Sequence, residues 1–167
     1  MIGILRDMRR LVVLVLAGLL FATGLAPAAA AQEAEPGVPA DSGAGRRIVY
    51  SNTQQRVWLV EEDGAVTKTH LVSGRRNFPR AGTYAVFSRS PSTRSGAVTM
   101  RFMVRWHQTR RLAVGFHSIP VNRSGRPIQS EGQLGSYRSH GCVRQRLADA
   151  RFLWDWAPLG TPVVVVR

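Results

Sequence analysis

The chain of 167 residues contains one cysteine, Cys142, in the stretch YRSHGCVRQR from Tyr137 to Arg146. A leftover cysteine forms an intermolecular disulfide, lies buried and inert, or reacts. Its surroundings favour reaction. Gly141 lets another backbone approach, and Arg138 and Arg144 add positive charge. Val143, Leu147, Ala150 and Trp154 recur at spacings of four, three and four, which predicts a helix running to about Trp156. Cys142 would then stand at a loop–helix junction, where free amides and the helix dipole lower a thiol's pKa and could hold an oxyanion.

A thiol nucleophile needs a base. His117 closes a predicted strand, and His140 precedes the cysteine by two residues. In extended backbone, positions 140 and 142 project the same way but are poorly placed to bond each other, whereas a residue on a neighbouring strand can face the sulfur. His117 is therefore the better base, and His140 a residue that orients the loop. Taken singly, either histidine could equally be a satisfied structural residue. A metal site built from His107, His117, His140 and Cys142 is the rival chemistry. Their spacing shows no paired ligands of the C-x-x-C or H-x-x-x-H kind, so no metal and no cofactor is expected.

The elements that must position these residues are short and mostly β. RIVYS, QRVWLVEE and AVTKTHLVS read as consecutive antiparallel strands, with Glu62-Asp63-Gly64 as the turn between the last two. Further bursts lie at GTYAVFS, AVTMRFMVRWH and RLAVGFHS, and the chain closes on TPVVVV, an apolar run of the kind a buried strand shows. Pro158 and Gly160 stop the single helix. Residues 119–139 are long, polar and glycine-bearing, hence a surface loop of functional length.

Arg6, Arg9 and Arg10 precede an apolar run from Leu11 to Leu20, and Ala29 to Ala31 offer an A-x-A site, so residues 1–31 read as a secretory signal peptide. A retained membrane anchor is the alternative. Residues 32–46 lack apolar periodicity and read as a flexible linker, with order beginning near Arg47 and one domain over 47–167. The formal net charge is +13 and the pI about 11.7. Nucleic acid is the usual partner of that balance, but an exported chain meets anionic envelope polymers instead, so no nucleic acid is expected. Localisation is expected to be the cell wall, the periplasm or the extracellular space.

SHGCVR, from Ser139 to Arg144, preceded by GFHS at 115–118 and by Leu134-Gly135, resembles the catalytic motif of the L,D-transpeptidases, cysteine enzymes that cross-link peptidoglycan. QQRVWLVEEDGAV is similar to that family's opening hairpin, FPRAGTYAV to its P-x-G-x-[FY] segment, and DWAPLGTPVVVV to its closing helix and strand. The resemblance implies a mainly β, sandwich-like fold with one short helix following the nucleophile. By position it implies Cys142 as nucleophile, His117 as base, and Ser118 holding the imidazole through its carbonyl. It implies His140 and Gly141 shaping the oxyanion site with the Cys142 amide, Ser139 on the substrate side, and Arg144 holding the site or the substrate carboxylate. Phe78-Pro79-Arg80-Ala81-Gly82 departs from the Thr-Pro-x-Gly of many members, away from the thiol. The implied reaction is acyl transfer from a tetrapeptide stem with release of D-alanine, by a monomer acting on peptidoglycan stem peptides. Hydrolysis of the same acyl-enzyme, an L,D-carboxypeptidase activity, stays open from sequence, as does an inactive envelope-binding module that kept the fold.

Overall fold

The computed structural model describes residues 35–110 and 113–167. The proposed signal peptide, 1–31, lies outside them. Among the described residues nine strands and one α-helix follow in the order β1 (Arg47–Ser51), β2 (Arg56–Val60), β3 (Val66–Leu71), β4 (Gly82–Ala85), β5 (Ser88–Ser95), β6 (Val98–Gln108), β7 (Ala113–Ser118), β8 (Val143–Gln145), α1 (Leu147–Trp156) and β9 (Pro162–Val166). They form a five-stranded sheet, β3-β2-β1-β9-β4, and a four-stranded sheet, β5-β6-β7-β8. Among the described residues no helix is long and apolar enough to cross a membrane.

The first sheet is built as its sequence reads. β1 and β2 pair antiparallel from Arg47↔Val60 to Ser51↔Arg56, and β2 continues into β3 through a turn in which the Gly64 amide donates to the Glu61 carbonyl at 3.1 Å. β9, the valine run, lies parallel to β1 and antiparallel to β4, a central place that suits continuous apolar residues. Between the sheets lies a core that includes Ile48, Tyr50, Val57, Leu59, Trp106, Phe116, Val143 and Leu153. Tyr50 meets Trp106 and Phe116 edge-on, with ring centroids 6.4 and 6.3 Å apart.

β1 and β2 are apolar on both faces, and this changes the fate of the segment preceding them. Val49, Trp58, Val60 and Val166 form a second buried cluster on the outer face, and Val38 packs against it. The Trp58 indole donates to the Pro36 carbonyl at 2.8 Å, and the buried Ser42 accepts from Arg47 at 3.2 Å. The described part of the expected linker thus lies on the sheet, because an apolar outer face needs a cover.

One expected strand is cut short and another runs where none was expected. GTYAVFS divides, its first half forming β4 in one sheet and its end leading into β5 in the other. β5 is SRSPSTRS, polar throughout and interrupted by Pro91, a residue strands admit at a sheet edge. Opposite Pro91, Phe102 takes a φ of 56°, and the ladder passes from Ser90↔Met103 to Ser92↔Arg101. That left-handed step shifts the alternation, so Val98 and Met100 line the same cavity as Met103 and Arg105.

Gly115 lies in the middle of β7, paired with Arg105 of β6. A Cβ there would stand 2.4 Å from the Val104 carbonyl oxygen, a backbone atom that cannot step aside. Gly115→Ala should destabilise the domain by about 1–3 kcal/mol, the usual cost of an added methyl group in a packed site. Thermal unfolding of the variant reads it as a melting point several degrees lower, and an unchanged Tm would contradict this packing.

Candidate active site

β7 and β8 run parallel, with Phe116↔Val143, His117↔Arg144 and Ser118↔Gln145 in register. Val143 and Phe116 are fully buried core residues, so the side chains that alternate with them, those of Cys142, Arg144 and His117, fall on the opposite face. All three line one cavity of about 390 Å³, together with Arg105, Ser139, His140 and Gly141. The histidine chosen on sequence as the better base is the one on the neighbouring strand.

His117 is 3% exposed, and its Nδ1 lies 2.6 Å from the carbonyl oxygen of Ser118. A carbonyl only accepts, so Nδ1 carries the proton and Nε2 is left as the acceptor. Burial pushes the imidazole's pKa down to about 4. The Ser118 hydrogen bond opposes that shift, and Arg144 and Arg105 reinforce it. The ring is neutral at physiological pH. The Ser118 hydroxyl accepts from the Arg101 amide at 2.9 Å, which ties the end of β7 to β6.

The thiol of Cys142 donates to the Ala113 carbonyl at 3.6 Å. Burial raises its pKa, while the Gly115 backbone, Arg105 and Arg144 act in the opposite sense. This corrects the sequence expectation. Between Cys142 and the helix lies the strand β8, and α1 begins only at Leu147. The cysteine therefore sits at a strand start and not at a helix N-terminus, and the dipole argument does not apply to it. The spacing misled because Val143 belongs to the strand and Leu147 is 48% exposed; the helix buries Asp149, Ala150 and Leu153 instead.

The rest of the motif holds the loop. The Gly141 amide donates to the Ser139 hydroxyl at 3.0 Å, so in this state it is committed inside the loop and is not presented to a ligand. Ser139 and Arg138 both donate through their amides to the Gly74 carbonyl, at 3.1 and 3.2 Å. His140 is exposed at the cavity edge. Arg144 exchanges backbone hydrogen bonds with Ser73, each 2.9 Å, while its guanidinium donates to the Gln129 side-chain oxygen at 3.1 Å. Gln129 in turn donates to the Ser73 hydroxyl at 2.8 Å.

Sequence reasoning did not find Gln129, which secures the long loop beside the site, nor Arg105. Arg105 faces the cavity from β6, and its only sequence signal was a charge within a strand otherwise apolar on that side. Among the described residues no three His, Cys, Asp or Glu side chains cluster as a metal site would require.

A buried neutral imidazole with a fixed tautomer, sharing a cavity with a half-buried thiol, is an arrangement suited to acyl transfer through sulfur. Comparison with known proteins shows the family. The model of the YkuD family, the L,D-transpeptidase catalytic domain, matches residues 45–165, and the chain belongs to that family. A stretch of 51 residues is 37% identical to YciB of Bacillus subtilis (strain 168), a protein that carries the L,D-transpeptidase name; it covers 30% of this chain and 26% of YciB.

Similar solved structures include an L,D-transpeptidase from Mycobacterium smegmatis, with a TM-score of 0.60 at 22% identity over 75% of this chain and 60% of that one. Another, from Xylanimonas cellulosilytica, gives 0.59 at 22% over 79% and 64%. A third is L,D-transpeptidase 3 of Mycobacterium tuberculosis with a faropenem-derived adduct, at 0.58 and 20% over 75% and 61%. At these identities the likeness establishes the fold. The chain spans about a quarter of the length of YciB and less than two thirds of each of these structures.

A protonated thiol and a neutral imidazole predict a specific titration. Alkylation of Cys142 by a small neutral reagent should be slow and nearly flat through neutral pH, rising only above the free-cysteine range of about 8.5. A fast plateau already present at pH 6 to 7 would show a thiolate–imidazolium pair and contradict the electrostatics of this site.

Proposed function

We propose that the chain is a peptidoglycan L,D-transpeptidase working by cysteine acyl transfer, and the observation that carries this reading is the His117 imidazole, neutral and fixed by Ser118, on the same sheet face as Cys142. Attack begins when the thiol turns from the Ala113 carbonyl towards Nε2 of His117. Such hydrogen bonds often form only with substrate bound. Nε2 takes the proton as sulfur bonds to the carbonyl carbon of the stem's third residue, a diamino acid. The tetrahedral intermediate collapses by expelling the amine of the terminal D-alanine, which takes the proton back from Nε2.

The thioester is then attacked by a side-chain amine of a second stem. That amine loses a proton to Nε2, and the sulfur leaves and recovers it. Family membership supports this choice of substrate. Ser118 acts through its carbonyl, by holding Nδ1–H. Ser139, His140 and Gly141 shape the loop before the nucleophile, and the Cys142 amide is the proposed oxyanion donor. Arg144 fixes the wall of the site by way of Gln129.

The chain is proposed to act as an exported monomer, with residues 1–31 removed. N-terminal sequencing of the mature protein should begin near Gln32; recovery of intact Met1 in membranes would favour an anchor instead. Anionic envelope polymers are the proposed further partners of its basic surface.

Intact-mass analysis of the full chain with a tetrapeptide-bearing muropeptide tests the chemistry, through an acyl adduct on Cys142, free D-alanine and dimeric product. Cys142→Ala should abolish the adduct and leave the fold intact. His117→Ala should slow acylation about 10²- to 10⁴-fold, the usual share of a general base, and His140→Ala should cost less. Wild-type turnover by Cys142→Ala would exclude the mechanism, and a larger loss in His140→Ala than in His117→Ala would reverse the roles of the two histidines.

A further inference from the structure

The proposed reaction has no use yet for Arg105, and the surroundings of this side chain are unusual for a charge. Its guanidinium is half-buried and donates to three hydroxyls of β5: Ser88 at 3.3 Å, Ser90 at 2.9 Å and Thr93 at 2.9 Å. All three partners are neutral. Arg105 takes part in none of the ion pairs among the described residues, which use Arg46, Arg56, Lys68, Arg146 and Arg151. No Asp or Glu is among the described residues lining the cavity, whereas Arg94, Arg105 and Arg144 all are. A guanidinium has five N–H donors, and the three hydrogen bonds leave two with no acceptor among the described residues.

The position of this charge relative to the sulfur follows from the ladders. Ser88 pairs with Arg105, Arg105 pairs with Gly115, and one step before Phe116↔Val143 the next row brings Gly115 beside Cys142. Ser88, Arg105 and Gly115 therefore form one row across β5, β6 and β7, and the register of β7 with β8 places Cys142, the residue before β8, at its end. With strands about 4.8 Å apart, the backbones at 105 and 142 are roughly 10 Å apart. Gly115 contributes no side chain to the row, so no β7 side chain stands in it between guanidinium and sulfur. The charge of Arg105 reaches both Cys142 and His117 across it.

We propose that Arg105, braced by Ser88, Ser90 and Thr93, receives the terminal carboxylate of the acyl-donor stem and so selects donors ending in a free carboxylate. This rests on the reading of the site given above. The terminal residue is the leaving group, one residue, or about 3.8 Å of chain, beyond the bond that breaks. A donor with its carbonyl at the sulfur must place that carboxylate close by, and the row through Gly115 leads to the uncompensated guanidinium. Arg144 lines the same cavity but donates to Gln129 of the long loop, which is itself tied to Ser73. The hydroxyl cradle fixes the guanidinium without neutralising it, which an acidic partner would have done.

The test uses the full chain and two synthetic tetrapeptide stems identical except at the end, one closing in D-alanine and the other in D-alanine carboxamide. Acylation of Cys142 and release of the terminal residue are followed for each. A charge-assisted hydrogen bond contributes about 1.5–3 kcal/mol, so wild type should favour the carboxylate donor by about 10- to 100-fold in kcat/KM, chiefly through KM. Arg105→Met should bring that ratio close to one, and Arg105→Lys should keep part of it. Comparison of the two donors on wild type requires no variant to fold.

Equal use of both donors by wild type would overturn the assignment. So would an Arg105→Met variant that slows both donors alike, because a side chain that only braces β5 against β6 changes rates without changing the ratio. Failure of both stems to form an adduct on wild-type Cys142 would instead overturn the reading of the site, and this inference with it.

Discussion

The pairing of β7 with β8 is the constraint from which the rest of the molecule follows. Two strands that run parallel cannot be joined by a tight turn, so the chain must leave the end of β7, travel back, and re-enter beside its start. The whole stretch from Ile119 to Cys142 exists to make that return. Its backbone is laced down along the way. Ile119 donates to Gln145, Val121 exchanges two hydrogen bonds with Thr99, Gly135 donates to Val72, and Ser139 to Gly74. Each bond satisfies a polar group that a return path over the sheet would otherwise leave unpaired. The loop therefore arrives at Cys142 in a set direction, and the register then fixes which side chains share the face.

Burial decides the electrostatics of the pair. A thiolate and an imidazolium would attract each other, but both charged forms lose hydration in this site, and for each residue desolvation is the largest influence. Two arginines near the site help the thiolate yet oppose the imidazolium, so they cannot stabilise the ion pair as a unit. Burial thus favours the neutral form of each group, and in the proposed reaction charge develops only as the thiol gives up its proton. Such a site spends little on holding ions apart from water and keeps its polar groups oriented for the moment of transfer.

Most of this was legible in the residues. The strands of the first sheet could be read because aromatic and β-branched residues cluster between turn signals, as in RIVYS and QRVWLVEE. His117 could be preferred to His140 from strand geometry alone. β5 could not be read, because SRSPSTRS shows no apolar alternation: its Thr93, Arg94 and Ser95 line the cavity and it lies at the edge of its sheet. Arg105 escaped for a related reason, since its importance lies in three hydroxyls contributed by that unread strand. The placement of Cys142 was misread because Val143 to Leu147 repeats the spacing of a helix face by accident. Three residues of strand fit inside that spacing, and a tertiary pairing with β7 overrides the local pattern.

The backbone bridge between Ser73 and Arg144 has a consequence for how the domain comes apart. β8 is the last strand of the second sheet, and its outer edge is taken up by a residue that follows directly on β3 in the first. The strand that follows Cys142 is thus a seam stitched into both sheets. Partial opening of the sandwich would have to tear that seam, so the amides around Cys142 belong to the set that exchanges with solvent only when the domain as a whole opens. Enzyme sites on free loops lose their geometry long before their fold. Here the two are lost together, and residual activity after heat or denaturant reports the fraction of intact molecules directly.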